Sequence, residues 1–149
     1  MMVDGGLPTR YFEDIIDSGA EYLDFVKFGW GTAIVTKDLC RKIEILSGAG
    51  VDYYFGGTLF EKYVLQDRLD EFRDLCHQYS CQFVEVSNGT IDLSNSEKAG
   101  YIRKLSDDFR VVGSDVNLGN VAATAILGLE TIRLGLRSDT LTCFDSGAA

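Results

Sequence analysis

The feature that most constrains this chain is a repeated alternation of short β-rich apolar runs with longer segments whose apolar residues recur every three or four positions. Tyr22 to Gly29 is one such run closed by glycine, and Thr36 to Ser47 follows with Leu39, Cys40, Ile43 and Leu46 at helical spacing. Val51 to Phe55 is a second run, ending at Gly56-Gly57. After it, Thr58 as N-cap with Glu61 three residues on predicts a capping box and a helix reaching about Tyr79. A third unit has strand Gln82 to Val86, turn residues Ser87-Asn88-Gly89 and a helix from about Asn95 to Ser106. Met2-Val3-Asp4 with a helix from Thr9 to Ser18 would precede these units. Arg110 to Val112 and Val116 to Gly119, as one broken strand or two joined ones, would follow, with a helix from about Ala122 to Leu136. Strands separated by helices of this length predict an α/β fold of about five βα units around a parallel sheet with right-handed crossovers. The 149 residues are expected to form one domain, 1–149.

Charge and composition exclude several function classes. The net charge of -9 argues against nucleic acid as a partner, because phosphate backbones demand clustered Lys and Arg. For an anionic substrate, the same charge requires either a few cations focused in one cleft or a divalent ion. No apolar run approaches the roughly 18 residues of a membrane span, and the N-terminal Met1 to Gly6 has neither a basic leader nor an apolar block, so a cytoplasmic location is expected. Cys40, Cys76, Cys81 and Cys143 have no C-x-x-C spacing and are expected to be buried free thiols.

In parallel α/β folds reactive residues collect at the carboxyl ends of strands. Lys27 closes an apolar strand just before Gly29 and could bind a phosphate or carboxylate, or transfer a proton. Gly57 and Thr58 open a helix N-terminus that favours anions. Glu85 points the same way as Ser87 and opposite to Val84 and Val86, which makes it a magnesium ligand, a general base or an inward salt-bridge partner of Lys27. Ser87 and Asn88 in the strand-end turn are substrate-binding candidates, and Asp4 is a further metal-ligand candidate. Asn117, Gly119 and Asn120 supply amides suited to a phosphate. Glu130, Arg133 and Arg137 read as an ion-paired helix stripe, and His77 lies far from any strand end. No nucleophile elbow, Walker loop or dinucleotide fingerprint is present.

Four strand-end motifs together, Phe25 to Thr32, Gly56 to Glu61, Glu85 to Ile91 and Val116 to Asn120, resemble those of the phosphosulfolactate synthase family of coenzyme M synthesis. Leu129 to Thr140 resembles that family's final helix. The resemblance implies a (βα)8, TIM-barrel-like fold and magnesium-dependent addition of sulfite to phosphoenolpyruvate, giving (2R)-phospho-3-sulfolactate. It also implies Lys27 on the carboxylate or as proton donor, Glu85 and Asp4 on the metal, and Asn117, Gly119 and Asn120 on the phosphate. Around residues 113–115 the sequence passes from what resembles the family's fifth strand to what resembles its eighth, so the barrel is expected to be shortened relative to the roughly 250 residues typical of the fold. Edges left open by that shortening make a homo-oligomer the expected state. Three functions compete: a carbon–sulfur lyase, an inactive relative serving as a binding or stress-related protein, as in plant heat-stress-associated proteins, and an unrelated flavodoxin-like domain that binds a phosphorylated ligand.

Overall fold

The computed structural model describes residues 1–114, 130–133 and 141–145. In chain order these form β1 (Met2–Asp4), α1 (Thr9–Gly19), β2 (Phe25–Phe28), α2 (Leu39–Ala49), β3 (Asp52–Phe55), α3 (Gly57–Leu65), α4 (Leu69–Gln78), β4 (Phe83–Val86), α5 (Asn95–Ser106), β5 (Arg110–Ser114), β6 (Glu130–Arg133) and β7 (Leu141–Asp145). One sheet runs β1-β2-β3, all parallel, and a second runs β4-β5-β7-β6. β3 lies against β4 without a hydrogen-bonded ladder between them. The fold is therefore mixed α/β with parallel strands joined through helices, and among the described residues it does not close into a barrel.

The strand pleat sorts side chains onto two faces. Val26 and Phe28 of β2 share a face with Tyr53 and Phe55 of β3. That face is covered by helices, where Phe12 of α1 stacks on Phe28 at a centroid distance of 6.3 Å. Val84 and Val86 join the same core, as their alternation with Glu85 predicts. The opposite face carries Phe25, Tyr54, Phe83 and Val112 as a small separate cluster that spans both sheets. The edge-to-face contact of Phe25 with Phe83 at 4.8 Å ties the two sheets together there, and Phe25 also meets Tyr54 of its own sheet edge-on at 6.2 Å.

Several expectations are corrected. The long helix from Thr58 to Tyr79 is two helices, because Asp67 turns left-handed (φ 55°) between α3 and α4 and no run of apolar spacing can report such a break. Thr58 and Glu61 form no capping box: Gly56 is the N-cap of α3, without a side-chain bond, and Glu61 is drawn to donors beyond β4. The capping box in this part of the chain belongs to Ser94 and Glu97 at the start of α5. Glu130–Arg133, expected inside a helix, is β6, and it pairs antiparallel with β7, which in turn pairs antiparallel with β5. The sheet is thus not wholly parallel. Only residues 134–140 separate β6 from β7, fewer than a parallel crossover needs, so an antiparallel return is the one the chain can make. Thr131 registers with Phe144 and Ile132 with Cys143; threonine and isoleucine are good β-formers, and this pairing overrides a helical periodicity. Cys40 is exposed, whereas Cys76 and Cys81 are buried, and all three are free. Val116 to Leu118 and the site candidates Asn117, Gly119 and Asn120 lie outside the described residues.

Candidate functional site

The seam between the two sheets is held by charge as well as by aromatic packing. Lys27, one residue before the end of β2, reaches across to Glu85 of β4, donating from Nζ to Oε1 at 2.9 Å and lying 2.8 Å from Oε2. The Glu85 carboxylate is buried, and the Gly57 N–H at the start of α3 donates to its Oε2 at 2.6 Å. A carboxylate withdrawn from water in this way needs a compensating cation and hydrogen bonds. Both are present, because the lysine and the first amide of a helix converge on it. Lys27 itself keeps a quarter of its side chain exposed, so it is the more solvent-facing member of the pair. Of the alternatives open for Glu85, the structure contains the inward salt bridge to Lys27.

The glycines before α3 are explained by the same crowding. A Cβ on Gly56 would sit 2.9 Å from Lys27 Cε and 3.1 Å from the Phe28 carbonyl oxygen. A Cβ on Gly57 would sit 2.6 Å from Ser87 Cβ and 3.3 Å from Glu85 Cδ, and would collide with Ser87 Oγ. Gly57→Ala is accordingly expected to lower stability by about 1–3 kcal/mol, the usual range for overpacking, with a lower urea midpoint at unchanged m-value. An unchanged midpoint would show that α3 can slide away from β4 at no cost.

Ser87 and Asn88 follow β4 directly. The Ser87 hydroxyl donates to Glu61 Oε1, and Gly89 and Thr90 donate their backbone N–H to the same carboxylate at 2.9 and 2.8 Å. Asn88 Nδ2 donates to the Leu93 carbonyl at 3.3 Å and Oδ1 accepts from Lys98 Nζ at 3.4 Å. Thr58 stands half-buried on the first turn of α3 beside Gly57. Lys27, Glu85, Gly57 and Ser87 are thus brought together by direct contact, with Thr58 and Asn88 adjacent in the chain.

Asp4 is not part of this group. It registers with Phe28, not with Lys27, and so belongs to the helix-covered face. There it is fully buried: Oδ1 accepts from the Gly6 and Leu7 amides at 2.8 and 2.7 Å, and Oδ2 from Lys42 Nζ at 2.6 Å. Lys42 and Glu61 are the two residues that sequence reasoning missed. Lys42 does carry a signal, since it lies three after Leu39 and four before Leu46, both buried. His77 pairs at 3.7 Å with Asp108 and packs its ring on Phe109, away from the strand ends.

Magnesium does not fit the described residues as a protein-built cage. Glu85 already accepts from Lys27 and Gly57, Asp4 already accepts from Lys42 and two amides, and the two face opposite ways. Among the described residues no three His, Cys, Asp or Glu side chains converge.

A partly open lysine paired with a buried carboxylate, near the carboxyl ends of parallel strands that alternate with helices, places the chain among mixed α/β proteins, in which strand ends are the usual position of a site. More narrowly, the chain belongs to the (2R)-phospho-3-sulfolactate synthase family (ComA), whose sequence model matches residues 1–112 and 109–139. It is 47% identical over 112 residues to the phosphosulfolactate synthase of Bacillus subtilis (strain 168), a match covering 75% of this chain and 44% of that one. It is 36% identical over 118 residues to the phosphosulfolactate synthase of Methanocaldococcus jannaschii, covering 78% of this chain and 47% of the relative. The chain therefore spans less than half the length of these curated relatives. Among the described residues no helix is long and apolar enough to cross a membrane.

Proposed function

We propose that this chain binds phosphoenolpyruvate at the Lys27–Glu85 seam and adds sulfite to it, as a carbon–sulfur lyase of its family. The observation that carries this reading is the partly exposed Lys27 side chain, its ammonium paired with a buried, hydrogen-bonded carboxylate at a strand end, in a chain of net charge -9. Such a cation is a focal point for an anion that the rest of the surface repels. In the reaction, a sulfur lone pair of sulfite forms the C–S bond to the substrate's methylene carbon, and the π pair of the double bond moves onto the carboxylate as an enediolate. Lys27 Nζ, donating to that carboxylate, stabilises the developing charge, and a proton delivered to the phosphate-bearing carbon completes the addition. If Lys27 gives that proton, it takes another from solvent, to which a quarter of its side chain is open. No step of this reading runs through magnesium.

Two features support a shortened barrel for the domain: the strand order β1-β2-β3 followed by β4-β5, and a family match in two segments that overlap at 109–112. Strands β1 and β6 are open edges among the described residues, which supports pairing between copies of the chain. The second reading, a binding relative without turnover, draws on the chain's span of less than half of its relatives and on donors already used within the site. Family membership removes the unrelated flavodoxin-like reading. Sulfite consumption with phosphoenolpyruvate, with and without magnesium, decides: turnover that depends on Lys27 is expected. A ligand-dependent rise in Tm without turnover would establish the binding relative instead.

A further inference from the structure

We infer that Glu61 is a positioning residue of this site, the second point of a clamp by which α3 holds the end of β4 and the loop Ser87 to Thr90. Gly57 and Glu61 are four residues apart on α3, hence one above the other on a single helix face. Both grip the same target. Gly57 donates its N–H to Glu85, and Glu61 accepts from the Ser87 hydroxyl, the Gly89 and Thr90 amides and the Thr90 hydroxyl.

Glu61 is 2% exposed, and no cation is among its hydrogen-bond partners. Its charge is met by four donors from one short loop, an arrangement that can hold a carboxylate ionised without a counter-ion. Burial pushes its pKa up, but the Ser87 and Thr90 hydroxyls with the Gly89 and Thr90 amides pull it down further, and it lies below the ordinary glutamate value. The grip is therefore intact at neutral pH. Because the Ser87 hydroxyl donates its hydrogen bond to Glu61 and stands against Gly57, the clamp fixes the distance between the first turn of α3 and Glu85, and through Glu85 the place of Lys27 Nζ. Glu61 acts only through these neighbours. This inference rests on the reading of Lys27 as the anion-binding group.

The test uses Glu61→Gln, which keeps the shape but turns one acceptor oxygen into a donor facing other donors, and Thr90→Val, which removes a single hydroxyl and serves if the first variant folds poorly. Amide hydrogen exchange is read at Gly89 and Thr90, with Val84 and Val86 as internal controls, and phosphoenolpyruvate binding is read by the rise in Tm on titration. Glu61→Gln is expected to speed exchange at Gly89 and Thr90 about tenfold or more, with the controls little changed, and to weaken phosphoenolpyruvate binding about tenfold; Thr90→Val is expected to do the same to a smaller degree. Unchanged exchange at Gly89 and Thr90 overturns the clamp, and faster exchange with undiminished binding overturns its part in the site. A wild-type chain that ignores phosphoenolpyruvate refutes the ligand reading instead, and the exchange result alone then decides the clamp.

Discussion

Replacing Lys42 with methionine is expected to destabilise the chain by about 3–5 kcal/mol, the cost of leaving one member of a buried ion pair without its partner. Lys42 and Asp4 are both fully buried, 2.6 Å apart, and Lys42 also donates to the Leu7 carbonyl at 2.6 Å while its ammonium lies 5.0 Å from the centre of the Phe12 ring. Methionine fills nearly the same volume, so the loss measured by urea unfolding would report charge and hydrogen bonds in place of a cavity. The double variant Asp4→Asn/Lys42→Met should recover a large part of the loss, since an asparagine oxygen can still accept from the Gly6 and Leu7 amides. A single variant as stable as the wild type would show that Asp4 finds water or another donor. The pair matters to the site indirectly. It anchors the end of β1 to α2 on the helix-covered face, and β1 is the strand against which β2, with Lys27, is registered.

The fold's local parts were legible in the sequence to the extent that one side-chain period decided them. β2, β3 and β4 fall within the apolar runs that predict them, and Glu85 faces away from Val84 and Val86 because period two leaves no other choice once both valines are buried. Lys27 and Glu85 could be named because each breaks an apolar strand just before glycines or turn residues. What period could not report is which partner a polar group finds. Glu61 satisfies the spacing of a capping box, yet its carboxylate turns to four donors from a loop 26 or more residues away in sequence. Asp4 satisfies the placement of a strand-end ligand, yet the register of β1 on β2 puts it on the helix-covered face beside Lys42. The Glu130–Arg133 segment shows the same limit at the level of an element, because its strand exists through pairing with Leu141–Asp145. Each miss is a tertiary contact that overrides a correct local pattern.

Replacing Lys27 with alanine is expected to abolish sulfite addition and to weaken phosphoenolpyruvate binding by about 10- to 100-fold, the worth of one hydrogen bond to a charged group. The same change strips Glu85 of its cation, so a loss of stability must be separated from a loss of binding. Glu85 keeps the Gly57 amide at 2.6 Å, and Lys27 is already a quarter exposed, so the stability loss should fall below the range for fully buried pairs, at about 1–3 kcal/mol. The double variant Lys27→Met/Glu85→Gln removes both charges at nearly constant volume and should regain most of that stability. If Lys27 is the anion-binding group, the restored double variant still binds phosphoenolpyruvate about 10- to 100-fold more weakly, because the Lys27 ammonium is gone. If instead binding returns with stability, Lys27 serves only to neutralise Glu85 and hold the two sheets together. The substrate would then be held by other groups, and the strand-end lysine would be a structural residue.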